Sequence, residues 1–344
     1  MAKRAASLLD EAPDAYLGSE RNCSVGRTIT ILSDAWSFLV IREAFFGARR
    51  FEDFRFALGL PRGTLADRLR RLTKQGIFAQ APRVPGSTRA EYRLTTCGFE
   101  LYPIFVALIG FGDRWLAGKD KPPVTLVHSS CGKDCHPIVA CSHCLGPLQA
   151  KRVRYRDGPG AGRTPMEGVR RTPRTALSAN FSRGRPSSVS RALEIIGDRW
   201  TFLIVREAFF GVRRFDQLQG ELGIAPNILA DRLLRLAQRG VFERRKYQDG
   251  PGRYEYRLTE MGKDFYGAFV AMAAWGDRWY SGGKPPLLLR HLDCGKDFVA
   301  AVICDHCRAP VEARSMTYRV NYDASKYAPP GVAGKTLKMR HSAR

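Results

Sequence analysis

Apolar residues recur at helical spacing over long parts of this chain, and the second half shows the pattern most clearly. Between residues 187 and 210 the apolar positions follow one another at three- and four-residue intervals, which predicts helix as far as Gly211. A short helix follows and stops at Gly223, and Pro226 suits the first turn of a third helix. We therefore expect three helices in succession.

The third helix leads into a hairpin. It is expected to end at Gly240, and two short strands follow at 241–245 and 254–258 around a glycine- and proline-containing turn. A final aromatic and apolar helix is expected at about 260–280. The buried face of the third helix carries three leucines: Leu229, Leu233 and Leu236. Helix, short helix, turn, helix and basic hairpin is the order of a winged helix-turn-helix domain.

The chain repeats itself at an offset of 164 residues. Residues 36–47 reappear as 200–211, and residues 65–69 reappear as 229–233. Shorter matches continue to the end of the last predicted helix in each copy, and the offset is 163 beyond that point. Two copies of about 130 residues are too few and too long for a solenoid, so the chain is a domain duplication.

The predicted fold is α+β, mainly α, with two winged helix-turn-helix domains that are each followed by a small zinc-ribbon-like β module. Low apolar content and many Gly, Pro, Arg, Ser and Thr residues mark a basic, flexible linker between the copies. The expected boundaries are 19–120 for the first winged helix, 121–156 for its module, 157–186 for the linker, 187–283 for the second winged helix, 284–321 for its module and 322–344 for a basic tail.

The formal net charge of +23 makes polyanions the first partners to consider. Part of this charge lies in the linker and the tail. No apolar run approaches the roughly 18 residues that cross a bilayer, and the N-terminal residues lack the apolar core of a secretory signal. We therefore expect a cytoplasmic, nucleoid-associated protein with double-stranded DNA and no membrane as its partner.

The second copy resembles the HxlR-type (MarR-like) bacterial transcription regulators. The resemblance covers roughly 187–280 and, more loosely, 23–116, and it implies a winged-helix dimer that binds operator DNA and pairs through its first and last helices. Since this chain holds two modules, they are expected to pair within one chain or between two chains. The matching residues run in order along the domain: Gly197 to Thr201, Arg206, Glu207, Gly211, Arg214, Phe215, Leu218, Ile224, Leu229, Arg232, Leu233, Leu236, Gly240, Tyr256, Leu258, Thr259 and Gly262.

Two departures from the family pattern affect DNA binding. The Ser or Thr that usually caps the recognition helix is replaced by Pro61 in the first copy and Ala225 in the second. The first hairpin, residues 78–83, is also much less basic than the second, residues 242–246. We therefore expect the first copy to bind DNA more weakly.

The candidate DNA contacts lie on the two third helices and the two hairpins. Arg68 and Arg232 flank the leucine stripe, so a phosphate contact and an internal ion pair are both open for them. The helix tips differ, with Arg62-Gly63-Thr64 against Pro226-Asn227-Ile228, which predicts unlike half-sites. The full candidate set is Arg62, Thr64, Arg68, Arg71, Arg83, Arg89, Asn227, Arg232, Arg235, Arg244, Arg245, Lys246 and Arg253.

Each copy ends in a His-x2-Cys-Gly-x8-Cys-x2-Cys motif. Four such ligands in two pairs suit tetrahedral Zn²⁺, and four protein ligands leave no open position, so two structural zinc sites are expected. His143 and His306 are reserve ligands, and reduced structural thiols are the alternative. The expected ligands are His128, Cys131, Cys141 and Cys144 in the first site, and His291, Cys294, Cys304 and Cys307 in the second.

Cys23 lies just before the first helix, with Arg21 and Arg27 nearby. Some regulators that resemble this family sense oxidants or electrophiles through a Cys at this place, so Cys23 is a candidate redox sensor, although a lone Cys is more often inert.

The leading hypothesis is a sequence-specific transcription regulator, expected to be a repressor, whose effector the sequence does not identify. The alternative is a sequence-tolerant nucleic-acid-binding or chromosome-architecture protein. An enzyme is not expected, since the sequence has no phosphate loop, HExxH motif or catalytic triad pattern.

Overall fold

The computed structural model is mainly helical, with short strands that pair in small antiparallel sheets. It describes residues 19–32, 34–82, 90–118, 121–165, 184–246 and 254–327.

The first copy contains six α-helices in its described residues. They are α1 (Ser24–Leu32), α2 (Ala35–Phe45), α3 (Phe51–Leu58), α4 (Arg62–Lys74), α5 (Thr96–Phe99) and α6 (Tyr102–Leu116). Its strands are β1 (Ser19–Arg21), β2 (Phe78–Pro82), β3 (Ala90–Leu94), β4 (Val124–His128), β5 (Ile138–Cys141), β6 (Val153–Asp157) and β7 (Arg163–Pro165).

The second copy repeats the order of the helices and the hairpin, and its extension has one additional strand, β11. Its helices are α7 (Ser188–Ile196), α8 (Arg199–Phe209), α9 (Phe215–Leu222), α10 (Pro226–Gln238), α11 (Glu260–Asp264) and α12 (Tyr266–Tyr280). Its strands are β8 (Phe242–Lys246), β9 (Tyr254–Leu258), β10 (Leu287–His291), β11 (Lys296–Phe298), β12 (Ala300–Ile303) and β13 (Met316–Val320).

The helical stretch expected from 187 to 210 is two helices rather than one. The break falls at Gly197, where a Cβ would lie 2.1 Å from the backbone oxygen of Leu193. Asp198 then starts α8 by accepting hydrogen bonds from the backbone N–H groups of Trp200 and Thr201. The apolar period continues through the break, which is why it conceals the change in helix direction.

The two copies pack against each other through their first and last helices. α1 lies against α12, and α6 lies against α7. Glycines allow the close approach, since a Cβ at Gly112 would lie 2.3 Å from the backbone oxygen of Ser188 and one at Gly276 would lie 2.5 Å from that of Ser24. Each of those serines also donates a hydrogen bond to the aspartate that follows the opposing glycine, Asp113 or Asp277.

Aromatic rings fill the middle of this contact. Phe38 stacks on Phe202 with ring centroids 5.8 Å apart, and Phe111 stacks on Phe265 at 3.7 Å. The indole N–H of Trp275 donates to the backbone oxygen of Cys97 at 3.0 Å. Most of the described buried apolar residues of both winged helices consequently belong to one continuous core.

The β extensions cross between the copies, which corrects the expectation of a self-contained ribbon after each winged helix. Strand β4 pairs with β13, β5 pairs with β12, and β6 pairs with β10, all antiparallel. The strand expected at residues 299–303 is present as β12, but its partner is Ile138–Cys141 of the other copy. The spacing of the His/Cys motif indicates which residues form strands, but it does not indicate which strand each of them pairs with.

Part of the expected linker is ordered structure. Residues 163–165 form β7, which pairs with β1. The backbone N–H of Gly158 donates to the oxygen of Pro286, and that of Gly160 donates to the oxygen of Pro285. These contacts attach the start of the predicted linker to both copies, while residues 166–183 and the tail from residue 328 lie outside the described residues.

One stretch, Thr96–Leu116, is long and apolar enough to cross a membrane by length and composition alone. It consists of α5 and α6, and 56% of its most apolar window is buried inside the protein. That burial identifies it as a core segment, and its apolar length exceeds what we expected from the sequence.

Candidate nucleic-acid interface and metal-ligand clusters

The third helix of each winged helix has one buried face and one exposed face. Leucines at equivalent places, Leu69 and Leu233 among them, are fully buried. No side chain caps the N-terminus of either helix, so the missing Ser or Thr has no replacement. Asn227 and Arg71 are exposed, as a DNA contact requires, and Thr64 is half-buried.

Arg232 is held inside the domain by an ion pair. Its Nε lies 3.1 Å from Oδ2 of Asp198, the residue that caps α8, and its Nη1 contacts Asp231. Only 17% of the Arg232 side chain is exposed. The recognition helix α10 is therefore tied to the start of α8.

The first copy repeats this arrangement. Arg68 Nε donates to Asp34 Oδ2 at 2.8 Å, and Nη1 donates to Asp67 at 2.6 Å. Asp34 caps α2 by accepting from the backbone N–H of Ser37. For both arginines the internal ion pair is present in the structure, and a contact with phosphate stays a prediction.

Two further candidate arginines on the recognition helices, Arg62 and Arg235, are exposed but carry acidic neighbours. Arg62 lies 3.0 Å from Glu52, and Arg235 lies 3.2 Å from Asp231. More than 60% of each arginine side chain is exposed. Surface pairs of this kind contribute little, so these arginines remain available to a phosphate.

The two hairpins form as expected and differ in charge. In the β8–β9 hairpin the guanidinium of Arg244 lies over the Tyr254 ring at 4.1 Å, and Arg245 pairs with Glu243 at 2.8 Å. The equivalent positions in the first hairpin are Gln80 and Ala81. Lys246 is at the end of β8 and exposed. The candidates Arg83, Arg89 and Arg253 lie outside the described residues.

All eight predicted metal ligands come together, but in sets that combine the two copies. One cluster, here cluster A, consists of His128, Cys131, Cys304 and Cys307. The other, cluster B, consists of Cys141, Cys144, His291 and Cys294. In each set the ligand atoms lie within 4.8 Å of one another. The expected grouping, with all four ligands from one copy, is therefore wrong.

The spacing within cluster A suits a tetrahedral ion of zinc's size. Cys131 Sγ lies 3.9 Å from Cys304 Sγ and 3.6 Å from His128 Nδ1, and Cys307 Sγ lies 3.2 Å from His128 Nδ1. A tetrahedron with metal–sulfur bonds of about 2.3 Å and metal–nitrogen bonds of about 2.0 Å has edges of about 3.8 Å and about 3.5 Å. The ligand atoms are already near those positions.

Cluster B has the same geometry. Cys141 Sγ lies 3.8 Å from Cys294 Sγ, and the Cys144 and Cys294 sulfurs lie 3.3 Å and 3.6 Å from His291 Nδ1. His291 is fully buried, and its Nε2 lies 3.3 Å from a carboxylate oxygen of Asp293 without making a hydrogen bond to it.

The backbone around the cysteines adopts the turns that metal knuckles use. Leu145 and Arg308 follow the second Cys of each CxxC pair and have φ values of 55° and 62°, a conformation rare for residues other than glycine. Backbone N–H groups point at sulfur, as from Gly146 to Cys144 at 3.4 Å. A hydrogen bond of this type from Lys296 lowers the pKa of Cys294 and favours the thiolate that binds metal.

Neighbouring His and Cys residues remain outside both clusters. His306 and His143 are exposed, and neither reserve candidate joins a set of four. Cys135 lies beside Cys304 and Asp305 at the edge of cluster A, and burial raises the pKa of its thiol. We therefore interpret Cys135 as a neutral thiol next to cluster A.

Sequence reasoning missed a buried charged pair in each copy. Arg42 donates to Glu43 at 2.6 Å, and Arg206 donates to Glu207 from Nε at 2.9 Å; all four side chains are at most 4% exposed. The duplicated Arg-Glu pair inside an apolar helix was the available signal. Cys23, the predicted sensor, is 5% exposed beside this region, and its redox role stays a prediction.

Two winged helices with exposed helix tips and a basic hairpin define a DNA-binding protein of the helix-turn-helix class. Residues 31–120 and 195–284, more than half of the chain, match the model of the HxlR-like helix-turn-helix family. The chain belongs to this family, and it is a DNA-binding transcriptional regulator. The resemblance stated from the sequence is confirmed.

Relatives with single modules support this membership. An uncharacterized HTH-type transcriptional regulator of Mycobacterium tuberculosis is 47% identical over 143 residues, which is 41% of this chain and 90% of the relative. The HTH-type transcriptional regulator YodB of Bacillus subtilis is 32% identical over 93 residues, 27% of this chain and 83% of its own. The mycobacterial match is longer than either family match, so it extends beyond one winged helix.

Replacing Arg232 by Met should lower the free energy of unfolding by about 1–3 kcal/mol, since it leaves Asp198 without its charged partner. Arg235→Met is the matched control on the same helix, and its exposed pair should change stability by no more than about 0.5 kcal/mol. Urea unfolding measures both. Equal losses in the two variants would show that the internal pair does not anchor the recognition helix.

Proposed function

We propose that one chain acts as a complete DNA-reading unit, with its two copies in the roles of the two subunits of a dimer. The contact between copies that carries this proposal is the α1–α12 and α6–α7 packing, with its two glycine crossings. These are the first and last helices, which the family resemblance assigns to dimer formation. A single chain therefore offers two recognition helices without a second chain.

The two recognition helices are proposed to read unlike half-sites. Asn227 is exposed at one tip and is suited to adenine, whereas Arg62 and Thr64 occupy the other tip. The hairpin beside Asn227 carries Arg244 and Arg245. The second copy thus has more candidate DNA contacts. We therefore expect the operator to be a quasi-palindrome in which one half-site is bound more strongly than the other.

Repression follows most simply from this arrangement, because a protein that occupies a promoter operator blocks access to it. The proposed place of action is the bacterial nucleoid in the cytoplasm. The main alternative is sequence-tolerant binding driven by the net charge of +23, which predicts a steep salt dependence and little difference between operator and unrelated DNA.

Clusters A and B are proposed to hold one Zn²⁺ each. Three sulfurs and one imidazole nitrogen form a donor set that zinc prefers, and the atoms are spaced for tetrahedral coordination. Four protein ligands leave no open position for substrate or water, so the proposed role is structural. Each ion would join a His-Cys pair of one copy to a CxxC pair of the other, and would thereby lock the two copies together.

Replacing Arg244 by Gln and Arg245 by Ala gives these two positions of the second hairpin the residues of the first hairpin, Gln80 and Ala81. The log–log slope of DNA affinity against salt should decrease in magnitude by about 2, because each lost phosphate contact removes about 0.9. Footprints should show weaker protection of one half-site only. Arg319→Gln, on β13 and paired with Asp134, is the matched charge control and should leave slope and footprint unchanged. Equal weakening of both half-sites would contradict the assignment of one copy to each half.

Paired substitutions test which ligands share a metal ion. Cys131→Ser with Cys304→Ser removes two ligands from cluster A alone, so one zinc per chain should remain after treatment with a mild chelator. Cys131→Ser with Cys141→Ser removes one ligand from each cluster, so both ions should be lost. Elemental analysis of the purified chains measures the zinc. The reverse pattern, with both ions lost from the first double variant and one ion kept by the second, would show that each copy binds its own ion. Less than one zinc per two wild-type chains would contradict metal binding itself.

A further inference from the structure

A cleft of about 600 Å³ lies between the helices of both copies and the crossed strands. Helices α1, α8 and α12 and strands β6 and β10 contribute to its walls. Its size is within the range of about 300–1,000 Å³ that is typical of small-molecule sites. Phe209, Phe210, Tyr266 and Phe269 provide a largely aromatic lining.

The duplication supplies an internal comparison for this cleft. The equivalent position in the other half is lined by the matching residues, including Phe45, Phe46, Tyr102 and Phe105, and encloses only about 40 Å³. Two related sequences thus form one open cleft and one filled one. The lining residues at which the copies differ show where the extra space lies.

Two features distinguish the halves at this place. Ile109 lines the filled position, whereas its counterpart in the open cleft is the smaller Ala273. Tyr318 and its counterpart Tyr155 both pack edge-on against a phenylalanine, with ring centroids 4.7 Å from Phe46 and 4.9 Å from Phe210, but Tyr318 is 5% exposed and Tyr155 is 46% exposed. The substitution at Ala273 thus removes side-chain volume, and the exposed side of Tyr155 forms part of the cleft wall.

A third difference leaves a buried cation incompletely bonded. Arg42, in the wall of the filled position, donates from Nη1 to Ser190 Oγ at 2.8 Å. The residue equivalent to Ser190 is Gly26, and Nη1 of Arg206 is buried with no hydrogen-bond partner among the described residues. A serine-sized side chain at Gly26 would begin 3.2 Å from this nitrogen. Arg206 therefore has donor capacity that its counterpart has already used.

Three arginines and two acids line the cleft: Arg154, Arg156 and Arg206 against Asp157 and Asp277. Arg156 pairs with Asp297 and Arg206 pairs with Glu207, so the charge of Arg154 and the spare donor of Arg206 are what favour an anion. Asp277 accepts a hydrogen bond from Ser24 at 2.5 Å, and burial raises the pKa of its carboxyl group, so it opposes an anion less than a free carboxylate would. Arg154 has no ion-pair partner within the part of the chain that the structure describes.

We propose that this cleft is an effector site for one small aromatic acid per chain. The aromatic rings would pack on the planar body of the ligand, and the arginines would receive its carboxylate. Because the cleft is walled by both copies, its occupant contacts the same helices that set their relative position. This regulatory consequence rests on the proposed single-chain DNA-reading unit, whereas ligand binding itself does not.

Calorimetric titration of the full chain with 2-naphthoate, in the absence of DNA, tests the site. We expect a stoichiometry of one per chain, and at least tenfold weaker binding of the neutral 2-naphthamide. Ala273→Ile introduces the side chain of the filled position and should weaken 2-naphthoate binding at least tenfold. Ile109→Ala, the matched change in the other half, should leave the affinity of this site within twofold.

Gly26→Ser gives Arg206 the partner that Arg42 has, and should reduce the preference for the acid over the amide. Circular dichroism confirms that each variant is folded. Absence of 2-naphthoate binding at 1 mM, a stoichiometry of two, or equal binding by wild type and Ala273→Ile would overturn the proposal. Since no DNA is present, failure here is distinguishable from failure of the proposed DNA-reading unit.

Discussion

The close crossing of helices between the two copies is the contact on which the rest of the structure depends. At Gly112 and Gly276 there is no room for a side chain against the backbone of the opposing first helix. This crossing brings the long last helices α6 and α12 together, and the strands that follow them pair with strands of the opposite copy. Both metal-ligand clusters and the open cleft are consequences of that crossing.

The elements of each winged helix were predictable because their signals are local. Apolar spacing identified the recognition helices, and the hairpin strands fall within a residue or two of their expected bounds. The ion pair that anchors each recognition helix was not predictable, because its two partners are far apart in the sequence. Arg232 and Asp198, for example, are 34 positions apart. The sequence left phosphate and ion pair equally open for that arginine, and the ion pair becomes visible only in the packing.

The metal ligands were identified correctly as residues, but they were grouped incorrectly. A duplicated motif supplies the same ligand types twice. The spacing in the sequence is therefore equally consistent with a His-Cys pair and a CxxC pair from one copy and with such pairs from different copies. The alignment likewise shows Ile109 against Ala273, but the volume difference appears only when the neighbouring strands and Tyr155 are in place. Duplication thus preserves the local signals and conceals the interactions between copies, which are where the two halves have diverged.

We propose that one chain completes the arrangement that family members are expected to build from two. Sedimentation equilibrium over a hundredfold range of concentration, on zinc-loaded protein without DNA, tests it most directly. We expect a single species at the chain mass of 38.5 kDa throughout. A species of twice that mass that persists at the lowest concentration would contradict it, because the copies would then pair between chains.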